Sequence, residues 1–194
     1  MGRFLKPYEV EVEGGDDRDH SINTGSIAEQ THGLFAAGLS SGTIQFFDPR
    51  ARSRVGILSP GKTSEGEITA LQYHSNGLEL AVGNSSGVVK IFDLRSPRPL
   101  LEKEQGYGLP IRKVVFLETS NVENQILTAD KKIIKIWDRR SGDQFTSIEP
   151  SKDMNDVEVV PRSGYILTAQ ESSRMGIWHV PQIGTSKLTD SFFW

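Results

Sequence analysis

One short strand pattern recurs four times in this chain, and it limits the possible folds more than anything else in the sequence. The segments are Ile44-Gln45-Phe46-Phe47-Asp48, Val89-Lys90-Ile91-Phe92-Asp93, Ile134-Lys135-Ile136-Trp137-Asp138 and Met175-Gly176-Ile177-Trp178-His179. Each ends on an aromatic residue followed by a polar one. The three aspartates stand 45 residues apart, and His179 follows Asp138 by 41. A supersecondary unit repeated at a fixed interval cannot bury its apolar surface alone and must stack on its neighbours.

Each repeat resolves into strands. An apolar run precedes the signature: Leu34–Gly38, Leu78–Gly83, Gln125–Ala129 and Tyr165–Ala169. Polar turns such as Leu39-Ser-Ser-Gly42 and Asn84-Ser-Ser-Gly87 join the two as hairpins. Further upstream lie β-branched or aromatic runs at Ile68–Tyr73, Ile111–Phe116 and Met154–Val160, with a weaker one at Ser21–Ile27. Outer strands are expected at Arg54–Leu58, Pro99–Lys103 and Gln144–Ile148. Within a signature strand both faces are apolar: Ile134 and Ile136 on one, Trp137 on the other. A period of about 40–45 residues with a Trp-Asp ending is the mark of a four-stranded propeller blade. The expectation is an all-β, WD40-type β-propeller fragment of about four blades of four antiparallel strands, plus one leftover strand. Residues 1–20 read as the outer strand of a preceding blade (Tyr8–Glu13) and an acidic loop. Blades follow at 21–58, 59–104 (with a leading loop), 105–149 and 150–180, and 181–194 read as a tail leading out of the propeller. Closed rings commonly hold more blades, so the chain reads as part of a ring.

Composition narrows the function classes only a little. A net charge of -3 gives no general attraction to nucleic acid or anionic membrane. No run of about 18 apolar residues is present, so no membrane span is expected. The absence of cysteine removes disulfide frameworks and thiolate metal sites. With no secretory leader at Met1–Pro7, the chain reads as intracellular.

Two segments imitate a hydrolase. Gly38-Leu-Ser-Ser-Gly42 and Gly83-Asn-Ser-Ser-Gly87 match the Gly-x-Ser-x-Gly elbow, which requires a strand running into a helix. Both precede another strand and occupy the same place in the repeat, as hairpin turns would. The histidines His20, His32, His74 and His179 are scattered, and structural roles in loops are expected for them. No catalytic residue, metal ligand or cofactor-binding residue is assigned, and no cofactor or small-molecule substrate is expected.

The pattern Asp-x-Arg is more informative. It recurs as Asp48-Pro-Arg50, Asp93-Leu-Arg95 and Asp138-Arg-Arg140. The structural reading is an Asp–Arg pair that orders a turn, contributing at most about 1 kcal/mol when exposed. The functional reading makes Arg50, Arg52, Arg54, Arg95, Arg98, Arg139 and Arg140 a rim that contacts a protein partner or RNA phosphates. A solvated rim is the alternative. Trp137-Asp-Arg-Arg140 also resembles the motif by which some propellers act as substrate receptors of cullin-based ubiquitin ligases.

A wider resemblance lies between the repeats. Gly2–Pro7, His32–Gly38, Asp48–Gly56, Leu80–Gly83, Phe92–Leu101, Tyr107-Gly-Leu-Pro-Ile111, Ala129–Asp138 and Phe145-Thr-Ser-Ile-Glu-Pro150 occur in order, followed by Asn155–Val157, Ser163-Gly164, Met175-Gly176 and Val180–Gly184. Tyr-Gly-Leu-Pro-Ile and Phe-Thr-Ser-Ile-Glu-Pro are not required by blade geometry. Together these stretches resemble the nucleolar protein ten / essential nuclear protein two family of WD-repeat proteins. The resemblance implies a non-enzymatic scaffold in small-subunit (18S) pre-rRNA processing and ribosome biogenesis, located in the nucleus and nucleolus. Its implied partners are other ribosome-assembly proteins, with pre-rRNA and the U3 small nucleolar ribonucleoprotein as further contacts in the processome, and no membrane.

Overall fold

The computed structural model describes residues 21–51, 53–61, 66–119 and 122–183. Among the described residues, fifteen strands form four antiparallel sheets. The first sheet holds β1 (Ile22–Ile27), β2 (Phe35–Leu39), β3 (Ile44–Asp48) and β4 (Ser53–Leu58) in that order. The second holds β5 (Ile68–Tyr73), β6 (Glu79–Asn84), β7 (Val88–Asp93) and β8 (Pro99–Glu104). The third holds β9 (Lys113–Thr119), β10 (Val122–Ala129), β11 (Ile134–Asp138) and β12 (Gln144–Ile148). The fourth holds β13 (Met154–Val159), β14 (Tyr165–Gln170) and β15 (Met175–His179). Every strand pairs with its sequence neighbour, so each sheet is a meander.

The all-β propeller architecture expected from the repeat is present, with one difference. The fourth sheet has three strands among the described residues, not four. The strand expected at Tyr8–Glu13 lies outside the described residues. The segment after β15 does not simply lead away: Pro181–Ile183 forms a 3-10 turn, and Ile183 is buried in the last apolar layer.

The core is a series of layers between consecutive sheets. Phe46, Leu71, Leu80 and Phe92 fill the first layer; Val89, Ile91, Phe116 and Trp137 fill the second; Leu127, Ile136, Val157 and Ile166 fill the third. Adjacent residues on one strand therefore serve different layers, Phe92 facing the first sheet and Ile91 the third. This is why the signature strands carry apolar groups on both faces. Burying one such side chain fully contributes about 1.5–3 kcal/mol.

Neighbouring sheets meet through their first strands, β1 on β5, β5 on β9 and β9 on β13. Hydrogen bonds across these seams span about one repeat in sequence. His32 Nε2 lies 2.8 Å from the Gly77 carbonyl, Phe116 N donates to Gln72 Oε1 at 2.7 Å, and Lys113 Nζ pairs with Glu158 at 2.8 Å. Small residues make the seams close. A Cβ on Gly38 would meet Ile68 Cγ2 at 2.5 Å, and one on Gly83 would meet Ile111 Cγ2 at 2.5 Å. Ile111 was expected to open a strand, yet β9 begins two residues later. Its side chain is buried against Gly83 and its N–H donates to the Asn84 carbonyl at 3.0 Å, so it belongs to the seam rather than the sheet.

Candidate interaction surface

The meander gives each sheet two ends. At one end lie the turns after β1, β3, β5, β7, β9, β11 and β13; at the other lie the second-to-third-strand turns and the links between sheets. Asp48, Asp93 and Asp138 close β3, β7 and β11 at the first end. The three Asp-x-Arg turns therefore occupy equivalent outer positions. Lys131 and Lys132 are close to Arg139 and Arg140 in sequence but lie across β11, at the other end. There both pair with Asp153. These lysines therefore lie at the opposite end of the sheet from the Asp-x-Arg turns.

Two of the turns close on themselves. Arg50 Nε and NH2 donate to the Asp48 carboxylate at 2.9 and 3.0 Å, and the Arg50 N–H adds a third bond at 2.9 Å. Arg95 repeats this on Asp93, with NH2 to Oδ2 at 2.6 Å and the backbone N–H at 2.9 Å. The guanidinium fork fits the carboxylate, and the backbone donor adds to it. The side-chain and backbone bonds from Arg95 hold the Asp93 carboxyl at about 2, and Arg50 lowers Asp48 in the same way. Both arginines are exposed, but their charge is locally balanced.

The third turn differs. Asp138 Oδ1 accepts the N–H groups of Arg140 and Ser141 at 2.8 and 2.9 Å, while the Arg140 side chain makes no ion pair among the described residues. Its neighbour Arg139 does not stand on the rim at all. Arg139 is 7% exposed, pairs with Glu79 of the preceding sheet, and lies over the Phe116 ring at 5.7 Å. Its backbone N–H donates to the Asn124 carbonyl at 2.8 Å. The expectation of a rim contact is corrected for Arg139: it joins two blades. Arg98 is exposed, Arg54 is partly buried on β4, and Arg52 lies outside the described residues.

Arg139 and Arg140 line a recess of about 260 Å3 with His74, Ser75, Glu118 and Asn124. Glu118 Oε1 accepts the Ser75 N–H at 2.9 Å and lies 3.5 Å from His74 Nε2, while His74 Nδ1 accepts the Asn76 N–H at 3.2 Å. Burial, then the Arg139 charge, lower the His74 pKa, so the ring is neutral at pH 7 and carries its proton on Nε2. A second cleft, of about 500 Å3, lies along the first strands and includes Tyr73, Phe116, Glu118 and Arg162 in its walls.

Ser40 and Ser85 sit in hairpin turns between antiparallel strands, which lack the strand-to-helix geometry of a nucleophile elbow. His32, His74 and His179 serve as structural groups, the last stacked on Tyr165 at 4.6 Å. A buried network was missed by sequence reasoning. Trp137 Nε1 donates to Thr128 Oγ1 at 2.9 Å, Thr128 Oγ1 donates to Gln105 Oε1 at 2.8 Å, and Gln105 Nε2 donates to the Thr128 and Ile133 carbonyls. The available signal was the repeated Ile-Leu-Thr-Ala ahead of Trp137 and Trp178, because Trp178 Nε1 reaches Thr168 in the same way at 3.3 Å.

Radially packed antiparallel meanders with structured turns at both ends define a β-propeller scaffold. A chain from the crystal structure of the mitotic checkpoint complex shares this fold, with a TM-score of 0.70 over 84% of this chain and 49% of that one, at 24% identity. The family profile described as nucleolar protein 10-like, N-terminal domain, matches residues 1–187, and the chain belongs to that family. Ribosome biogenesis protein ENP2 of Chaetomium thermophilum is 49% identical over 94% of the chain, and that of Saccharomyces cerevisiae is 41% identical over 98%. Human nucleolar protein 10 is 41% identical over 99%. The chain spans 28%, 26% and 28% of the lengths of these relatives.

Proposed function

We propose that the protein is a non-enzymatic scaffold in ribosome biogenesis, acting in the nucleolus within the U3-containing processome that matures 18S pre-rRNA. The observation that carries this reading is identity of about two fifths to one half, over nearly the whole chain, to proteins named for ribosome biogenesis and for the nucleolus. The surface supports protein partners more than pre-rRNA on the Asp-x-Arg face. A phosphate-binding stripe needs free cations, and Arg50 and Arg95 are each balanced by their own aspartate. A tagged copy at native expression should concentrate in the nucleolus and co-purify U3 RNA. Exclusion from the nucleolus would overturn the proposal.

A second reading, a substrate receptor of a cullin-based ubiquitin ligase, keeps one residue in its favour. Arg140 in Trp137-Asp-Arg-Arg140 is exposed, whereas Arg139 is buried. Capture by the ligase adaptor that survives Arg140→Ala would dismiss it.

A further inference from the structure

We infer that the recess at Arg139 and Arg140 is a docking site for a protein segment that presents a carboxylate beside an N–H donor. Three equivalent turns differ at this one point. Arg50 and Arg95 fold onto their aspartates, whereas at the third turn Asp138 Oδ1 accepts the N–H groups of Arg140 and Ser141 and the Arg140 side chain makes no ion pair among the described residues. Beside Arg140, the nine-tenths-buried Arg139 leaves its Nε without a hydrogen-bond partner. The same recess supplies acceptor capacity, since Glu118 Oε2 has no bond among the described residues and Ser75 and Asn124 also line it.

Charge selects the ligand class. Arg139 pairs with Glu79 across the seam, Glu118 of Arg139's own sheet shares the recess with Arg140, and His74 is neutral, so the recess is dipolar and nearly neutral. An RNA backbone carries a charge at every phosphate and would meet Glu118. A peptide carrying one aspartate or glutamate brings a planar fork for the Arg140 guanidinium and a backbone N–H for Glu118. The inference rests on the scaffold reading only in requiring a protein partner. Its test involves neither the nucleolus nor U3 RNA, so each can fail without the other.

The experiment follows the arginine Nε–H resonances of the full chain by NMR during titration. The probes are an acetylated hexapeptide of alternating Asp and Gly, its Asn counterpart, and a single-stranded uridine decamer. The Asp peptide is expected to shift the Arg139 and Arg140 signals, and the Asn peptide is not. Arg140→Ala should weaken Asp-peptide binding by about tenfold with no change in melting temperature, and Arg95→Ala should leave it intact. Equal weakening by Arg95→Ala would reduce the effect to diffuse surface charge and overturn the site. A response to the uridine decamer alone would make it an RNA contact, and no response to millimolar Asp peptide would also overturn it.

Discussion

Thr128 joins the indole of Trp137 to the amide of Gln105, and all three are buried. Thr128→Val keeps the volume but strands the indole N–H and the Gln105 oxygen, so a loss of about 1–3 kcal/mol is expected in urea unfolding. Adding Gln105→Met should recover part of it, because the Gln105 oxygen is then no longer stranded while the indole N–H still is. His74 gives a pH signature at the same scale. Burial and Arg139 hold its folded pKa below the ordinary 6.5, with Glu118 opposing. The contribution of the neutral ring is complete above that value and is lost as pH falls through the lower folded pKa. Melting temperature should therefore fall below about pH 6.5, and His74→Gln should flatten that part of the profile. A slope unchanged in the variant would assign it to other groups.

At the scale of strands and turns, the period was readable because a blade needs its aromatic, its turn glycine and its apolar pairs at fixed positions. Gly42 and Gly87 have φ of 81° and 80°, where other residues are strained, so the hairpin turns announce themselves in the sequence. The seams were less visible. Nothing local tells that Ile111 leaves the sheet to sit on Gly83, or that Arg139 turns inward while Arg140 turns out. Both depend on Gly83 and Glu79, which belong to the preceding blade. Gly83→Ala drives a methyl into Ile111 and should cost about 1–3 kcal/mol by overpacking. Combining it with Ile111→Ala should cost less than the two single changes together. Strict additivity of the two would show that they do not meet.

The whole molecule is a stack in which each sheet is held mainly by its neighbours, so stability is distributed along the chain. The Arg139–Glu79 pair bridges the second and third sheets. Arg139→Ala leaves Glu79 without its cation and should lower stability by about 3 kcal/mol, typical of breaking a buried pair. Hydrogen exchange should show this as earlier opening of the seam between β5–β8 and β9–β12, with the first seam still protected. Uniform loss of protection across all four sheets would mean that the stack unfolds as one cooperative body. The propeller architecture was legible from the repeat, and the family from the residues between repeats. Which arginines stay free was not, since it is set by hydrogen bonds that identical Asp-x-Arg turns make differently.

The seam bonds that reach back about one repeat also set an order of events during synthesis. Each blade finds one set of docking partners on the blade made just before it, and its other apolar face is covered only when the next blade is made. At about 5–20 residues per second, a new blade of roughly 45 residues emerges every few seconds. A rare-codon pause placed after one seam glycine and before its isoleucine would hold a finished sheet with its apolar face uncovered, where a chaperone is most needed.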